Sequence, residues 1–282
     1  MQLITLFFST LALASTANGM VHRQTMQWND INTREVVRWD GDTAILAQGA
    51  AMTELQCKIL IDPNKVARAI ESFGIPETWT KISYRTEDEL KQQRTDLRNK
   101  AKQHGIEMNL EGNLFSVDYN WVVKKSVSDL HEIANIIRST ARRKGYRSRR
   151  ELIGAVASFV QELQYQLPPD HRINEDGEKI LTAGATMPLE TLSNQRGDCD
   201  TKSLLFAGLV RSISLVDVIF VAIEEHLFAG IRMNPSQNDH SIRHQGRDWV
   251  LVELSDSWPI GHVPQNHLSV IRSGKYRVID ID

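Results

Sequence analysis

The second half of the chain repeats hydrophobic and polar positions with two different periods. Residues 126–143 and 149–165 place an apolar residue every three to four positions, which predicts two amphipathic helices. Three later apolar runs predict strands: residues 216–223, 227–233 and 249–254. The polar stretch at 234–247, which separates the last two runs, is too long for a tight hairpin. Helices followed by antiparallel strands indicate an α+β fold.

The first half is less regular. Its pattern predicts two helices, each followed by a glycine, and four strands, two of them short and joined at the Asp40-Gly41 turn. The helices are residues 63–73 and 87–104, and the strands are residues 36–37, 44–46, 55–61 and 115–123. We therefore divide the chain into a mixed N-terminal region, residues 20–124, and a second domain, residues 125–282.

The first nineteen residues contain no charged side chain. Residues 3–14 are nearly all apolar, and the small residues Ser15-Thr16-Ala17 follow, which predicts a secretory signal peptide at residues 1–19. The apolar run is short for an uncleaved membrane anchor, and no other segment is apolar enough to span a membrane. We expect a periplasmic or secreted protein with no stable membrane span after cleavage.

Length and charge narrow the class of protein. With 282 residues, of which 41% are hydrophobic, the chain can bury the core of one or two globular domains. A net charge of −2 argues against a general nucleic-acid-binding protein. The sequence also lacks a glycine-rich loop of the kind that binds nucleotide phosphates.

One cysteine lies where a helix is predicted to begin. The residues before Cys199 are turn-like, whereas residues 204–210 read as a buried helix, so the thiol should lie in the first helical turn. The unpaired N–H groups and the positive end of the macrodipole there favour a thiolate. Asp198 or Asp200 could cap this helix, although their negative charge would raise the pKa of the thiol.

An imidazole and a carboxylate follow, His226 at the head of one predicted strand and Glu253 at the end of another. A carboxylate within an apolar strand needs a partner, and Glu253 bonded to one ring nitrogen of His226 would leave the other facing the thiol. Cys199, His226 and Glu253 are the parts of a cysteine nucleophile with its base and its orienting group. The backbone N–H of Cys199 and, as a weaker second, the Gln195 side chain are the candidate oxyanion donors.

The sequence around these residues resembles the transglutaminase-like superfamily, and specifically its exported bacterial members. The resemblance covers about residues 125–265. The Gly-Asp-Cys-Asp block, together with the spaced His and Glu, is its most specific part. The matching stretches are residues 158–165, 188–192, 197–203, 225–226, 249–253 and 259–261.

The resemblance implies a papain- or transglutaminase-like core with the nucleophile at a helix N-terminus. In this chain Cys199 would be the nucleophile, His226 the general base and acid, and Glu253 the orienting carboxylate. The implied reaction hydrolyses or transfers peptide or amide bonds through a thioester, without a cofactor. The expected substrate is a peptide or protein, such as a component of the cell envelope.

Two departures from the family pattern leave alternatives open. The family commonly has Gly before the catalytic His, where this chain has Glu225, and the residues after Glu253 also differ, so Asp256 is a second candidate for the third role. The main rival hypothesis is therefore a non-catalytic envelope protein that keeps the fold as a binding or scaffolding module.

The remaining cysteine and a pair of histidines suggest weaker alternatives. A disulfide between Cys57 and Cys199 would disable the nucleophile or make the protein a redox sensor, and we favour two free thiols because Cys57 lies in a strand-like run. His240 and His244 have the i, i+4 spacing of a zinc-binding helix. Their segment has little helical periodicity and no evident third ligand, so we predict no metal site there.

Overall fold

The computed structural model describes residues 22–33, 36–40, 43–46 and 53–282. The predicted signal peptide, residues 1–19, lies outside the described residues. The described part contains seven α-helices: α1 (Pro63–Ser72), α2 (Glu87–Gln103), α3 (Tyr119–Arg143), α4 (Arg149–Gln161), α5 (Pro188–Asn194), α6 (Cys199–Ser212) and α7 (Gln265–Arg272). No helix in these described ranges has both the length and the apolar character needed to cross a bilayer.

Sixteen strands accompany these helices in the described ranges. In the first half they are β1 (His22–Asp30), β2 (Val36–Asp40), β3 (Thr43–Leu46), β4 (Thr53–Ile61), β5 (Ile75–Pro76), β6 (Ile106–Met108) and β7 (Phe115–Val117). In the second half they are β8 (Gln164–Tyr165), β9 (His171–Ile173), β10 (Lys179–Leu181), β11 (Arg196–Gly197), β12 (Val218–Ile223), β13 (His226–Arg232), β14 (Ser241–His244), β15 (Arg247–Val252) and β16 (Arg277–Asp280). Short 3-10 helices occupy Ile31–Thr33 and Glu77–Thr80.

The main sheet is antiparallel and has five strands in the order β14-β15-β13-β12-β16. Successive side chains of β13 point to opposite faces: Leu227 and Ala229 join the main core, which also contains the apolar side chains of α6, whereas Phe228 joins a second apolar cluster. Helix α7 contributes Leu268 and Ile271 to that second cluster. Helices combined with an antiparallel sheet confirm the predicted α+β class.

The N-terminal strands pack on the helices of the second half. β1 and β4 pair antiparallel along their whole length, and the buried Trp28 of β1 donates its indole N–H to the carbonyl oxygen of Ala155 in α4 at 3.0 Å. Trp28 also meets Phe159 edge to face, with ring centroids 5.1 Å apart. One continuous apolar cluster therefore includes residues from Met26 to Ile281, on both sides of the predicted boundary at residue 124.

The strand predicted at residues 115–123 is wrong beyond residue 117. Helix α3 begins at Tyr119, because the Asp118 carboxylate caps it and accepts the N–H of Trp121 at 2.9 Å. The cap and the packing of this first turn outweigh the β-propensity of the local sequence.

Three further boundaries differ from the predictions. The stretch before Cys199, which reads as turn-like in the sequence, contains helix α5. This helix begins with Pro188, and the residue after its last turn, Gln195, lies in the left-handed region at φ 53°. Helix α4 ends at Gln161 rather than at residue 165. The polar stretch between β13 and β15 contains the edge strand β14.

Candidate active site

Cys199 is the first residue of α6. The preceding Asp198 is the N-cap, and its carboxylate accepts the N–H of Thr201 at 2.9 Å. The backbone N–H of Cys199 lies in the first turn and has no intrahelical acceptor, which leaves it available to a bound oxyanion. The absence of a side chain at Gly197 allows the backbone to turn tightly into α6, because a Cβ there would lie only 2.9 Å from Thr201 Cγ2.

The surroundings of Cys199 favour the protonated thiol. Sγ donates to Asp200 Oδ1 at 3.4 Å, and the Tyr119 hydroxyl donates to Asp200 Oδ2 at 2.5 Å, which fixes that carboxylate beside the thiol. Burial, then the Asp200 charge, raise the pKa of Cys199 to about 12, although the N–H of Leu227 directed at Sγ offsets part of the rise. Burial and the acidic neighbours thus outweigh the helix terminus that favours a thiolate.

His226 and Glu253 form a hydrogen-bonded pair. The Nε2 of His226 lies 2.8 Å from Oε2 of Glu253, whose side chain is only 1% exposed. Glu253 Oε1 accepts both the N–H and the hydroxyl of Ser255, at 2.7 and 2.6 Å. Burial by itself would raise the pKa of Glu253, but the hydrogen bonds from His226 and Ser255 hold that pKa below its ordinary value. The exposed Asp256, the alternative third residue, instead accepts the N–H of Ser257.

The thiol and the imidazole both lie near the start of strand β13. Sγ faces the backbone N–H of Leu227, whereas the His226 ring packs edge to face on Phe228, with centroids 4.5 Å apart, and stacks on His267. Within the described part of the chain, no hydrogen bond joins Sγ of Cys199 to the His226 ring.

The turn before His226 is strained. Glu224 and Glu225 connect β12 to β13, and Glu225 has a φ of 59°, in the left-handed region that favours glycine. A glycine at this position would adopt the same conformation without strain.

Lys202 is a buried charge that the sequence analysis did not identify. It lies one turn after Cys199, is 1% exposed, and its Nζ donates to the carbonyl oxygens of Gln161 at 3.2 Å and Ser255 at 3.5 Å. Burial lowers the pKa of Lys202 to about 8, although the nearby carboxylates partly oppose this shift. Gln161 also donates its side-chain amide to the carbonyl oxygen of Glu253 at 2.7 Å, so both residues fix the backbone around that carboxylate.

His267 of α7 was also missed, because its position depends on how α7 packs on the sheet. Its ring stacks on that of His226, with centroids 4.6 Å apart and planes at 26°. One donor atom from each of His226, Glu253 and His267 lies within 4.8 Å of the other two. These three residues are the group in the described part of the chain that could hold a metal ion.

The other predicted residues are dispersed. Cys57 and Cys199 are both free thiols, as predicted, and burial raises the pKa of Cys57 to about 11. The side chain of Gln195 is exposed. His240 and His244 do not share a helix: the His240 N–H bonds to a backbone carbonyl, and His244 on strand β14 pairs with Asp280.

A small cavity lies near the chain that leads into α6. It has a volume of about 210 Å³ and is lined by residues that include Gly197, Thr186, Glu190 and Leu167. Leu167 and Tyr165, on the chain that leads into this cavity, are 70% and 50% exposed. Exposed apolar side chains near such a cavity suit the side chains of a peptide.

A comparison with models of known protein families gives no match, and a search of curated proteins finds no relative of the chain.

Proposed function

We propose that this protein is an exported, transglutaminase-like cysteine enzyme that hydrolyses or transfers peptide or amide bonds through a thioester at Cys199. One observation carries the proposal. Cys199 begins α6, and the N–H of Leu227 is close enough to its Sγ to lower the pKa of the thiol. His226, the residue before Leu227, is bonded to the buried carboxylate of Glu253. A nucleophile, a base and an orienting group thus lie on neighbouring elements, which supports the proposal of a papain- or transglutaminase-like core.

The reaction begins with proton transfer from the thiol. Glu253 holds the Nε2–H of His226, so Nδ1 carries the lone pair that accepts the Sγ proton. Sγ then forms a bond to the amide carbon, and the carbonyl π electrons move to oxygen, which faces the N–H of Cys199. Collapse expels the amine, which takes the proton from His226, and leaves a thioester that water or a second amine resolves.

The raised pKa of the thiol makes His226 indispensable to this mechanism. A thiol with a pKa of about 12 has almost no thiolate at neutral pH, so attack requires general-base assistance. Tyr119 and Asp200 hold the resting proton on sulfur. Transfer of the Sγ proton to the imidazole is then the step that activates the site.

The surroundings of the site support a peptide or protein substrate. The rim formed by Tyr165 and Leu167 continues into the cavity beside Gly197, which is large enough for one side chain. An exported enzyme of this kind would act on peptides or proteins of the cell envelope, and it needs no cofactor for acyl transfer.

A non-catalytic binding protein is the second candidate. The observation that favours it is the resting thiol, which is hydrogen-bonded to Asp200 and not to the imidazole. The exposed Tyr165 and Leu167 would serve such a protein as a docking surface for a peptide.

Amine capture separates the two functions. The protein is incubated with a library of peptides and a fluorescent primary amine, and new N-termini and amine conjugates are identified by mass spectrometry. The proposed enzyme forms one or the other with wild-type protein and the Cys57→Ala control, but not with Cys199→Ala. Peptide retention without any product in all three proteins would support the binding protein and contradict the enzyme.

A further inference from the structure

Three metal-ligating side chains converge where α7 crosses the end of the sheet. His226 begins β13, Glu253 follows β15, and His267 lies in α7. One ligand atom from each lies within 4.8 Å of the other two. The carboxylate is 1% exposed and the His226 side chain 10%, so two of the three ligands are already held by the fold.

The chemistry of this set selects a class of ion. Two imidazole nitrogens and one carboxylate oxygen form a three-residue donor set that suits Zn²⁺ and similar transition-metal ions, with a fourth position open to water. The hard cations Ca²⁺ and Mg²⁺ prefer ligand sets made of oxygen atoms. The imidazole of His267, stacked on His226, therefore adds to the catalytic pair the donor that this set needs.

Small movements close the site. Metal–ligand bonds of about 2.0–2.1 Å in tetrahedral geometry place the donor atoms about 3.3 Å apart. His226 Nε2 and Glu253 Oε2 are separated by 2.8 Å, and no pair among the three donors exceeds 4.8 Å. The largest separation therefore exceeds the tetrahedral value by at most about 1.5 Å.

We propose that His226, Glu253 and His267 bind a divalent transition-metal ion, with Zn²⁺ as the representative, and that the ion holds the cysteine enzyme inactive. Metal binding stands on the geometry of the three ligands, whereas the inhibition rests on the proposed function. A metal on Nε2 displaces the ring proton to Nδ1 of the neutral imidazole. His226 then has no lone pair for the Cys199 proton, and Glu253 no longer orients it for catalysis.

Zinc binding is tested by titration of the metal-free full chain against a chromogenic chelator. We expect one Zn²⁺ per chain for wild type and for Cys199→Ser, which shows that the sulfur is not a ligand. His244→Asn is the matched control, because that histidine pairs with Asp280 away from the site. Loss of a residue that only hydrogen-bonds to a metal ligand typically weakens metal binding roughly 10- to 100-fold. His267→Asn removes a ligand itself, so it should weaken Zn²⁺ binding by at least this factor.

Equal Zn²⁺ affinity of wild type and His267→Asn would overturn the site, and so would binding that disappears in Cys199→Ser. Cobalt substitution gives an independent readout, since a thiolate ligand adds a charge-transfer band that this site should not produce.

The inhibition is tested by the rate of Cys199 alkylation and by peptide turnover, each with and without Zn²⁺. We expect both rates to fall with Zn²⁺ in wild type and in His244→Asn, and the effect to weaken in His267→Asn. Turnover by wild type that continues with Zn²⁺ bound would overturn the switch and leave the enzyme in place. Stoichiometric binding to the three ligands by a protein without turnover would support the site and contradict the proposed function.

Discussion

Replacement of Lys202 by methionine tests the electrostatics around the site. The side chain is 1% exposed, and burial lowers its pKa from 10.5 to about 8, although Asp256, Glu253 and Glu162 partly oppose the shift. Methionine keeps most of the volume of the side chain and removes the charge.

The sign and size of the effect follow from linkage. The pKa of the folded state is the lower one, so between pH 8 and 10.5 the unfolded chain binds a proton that the folded chain does not. The contribution of Lys202 to the free energy of unfolding therefore rises with pH across this window. The gap between the two pKa values corresponds to a cost of about 3 kcal/mol below pH 8, at about 1.36 kcal/mol per pKa unit.

The absolute effect at pH 7 is a balance of two terms. Methionine removes the cost of the buried charge, but it leaves the carbonyl oxygens of Gln161 and Ser255 without their donor, at about 1–3 kcal/mol each. The pH dependence isolates the first term. The raised pKa values of Cys57 and Cys199 lower the stability of both proteins above pH 9. These contributions cancel when the variant is compared with wild type at the same pH.

Urea unfolding of wild type and Lys202→Met at pH 7 and pH 10 measures this dependence. Relative to the variant, wild type should gain about 2.5 kcal/mol of unfolding free energy between the two pH values. The exposed Lys124→Met on α3 is the matched control and should follow wild type at both pH values. If the difference in unfolding free energy between wild type and Lys202→Met is the same at both pH values, the lowered pKa of Lys202 is refuted.

Three substitutions test other parts of the site. Asp200→Asn removes a carboxylate that raises the pKa of Cys199, so site-resolved alkylation at pH 8 should become roughly tenfold faster, and an unchanged rate would contradict that role. Glu225→Gly relieves a left-handed backbone at the turn before His226 and should raise the free energy of unfolding by about 0.5–1 kcal/mol in urea, where a loss would show that the turn is unstrained. Gly197→Ala places a Cβ 2.9 Å from Thr201 Cγ2 and should lower that free energy by about 1–3 kcal/mol; a neutral result would mean that the corner has room.

The elements with a strong local pattern were predictable from the sequence. Strands β12 and β13 are buried on both faces, so their residues form continuous apolar runs. The start of α6 follows from Gly197 and Asp198 before an apolar stretch. The first turn of α3 was missed because Trp121 and its neighbours have a high β-propensity. The helix forms there because Asp118 caps its N-terminus.

The sequence predicted that the acidic neighbours of Cys199 raise the pKa of its thiol, but the other electrostatic features of the site depend on distant residues. Tyr119, which fixes Asp200 beside the thiol, is 81 positions away in the chain. His267 reaches His226 only through the packing of α7 on the sheet. A helix N-terminus indicates a thiolate by itself, but burial and a tethered carboxylate reverse that expectation at Cys199.

The most direct test of the central claim is the rate of Cys199 alkylation by iodoacetamide at pH 7, resolved by mass spectrometry, in wild type and His226→Ala. Because the pKa of the thiol is about 12, reaction at this pH depends on transfer of its proton to His226. The account predicts about 100-fold slower labelling in His226→Ala, the usual scale of general-base assistance, with wild-type labelling in His244→Asn. Equal rates in wild type and His226→Ala would contradict a thiol–imidazole pair and, with it, the proposed enzyme.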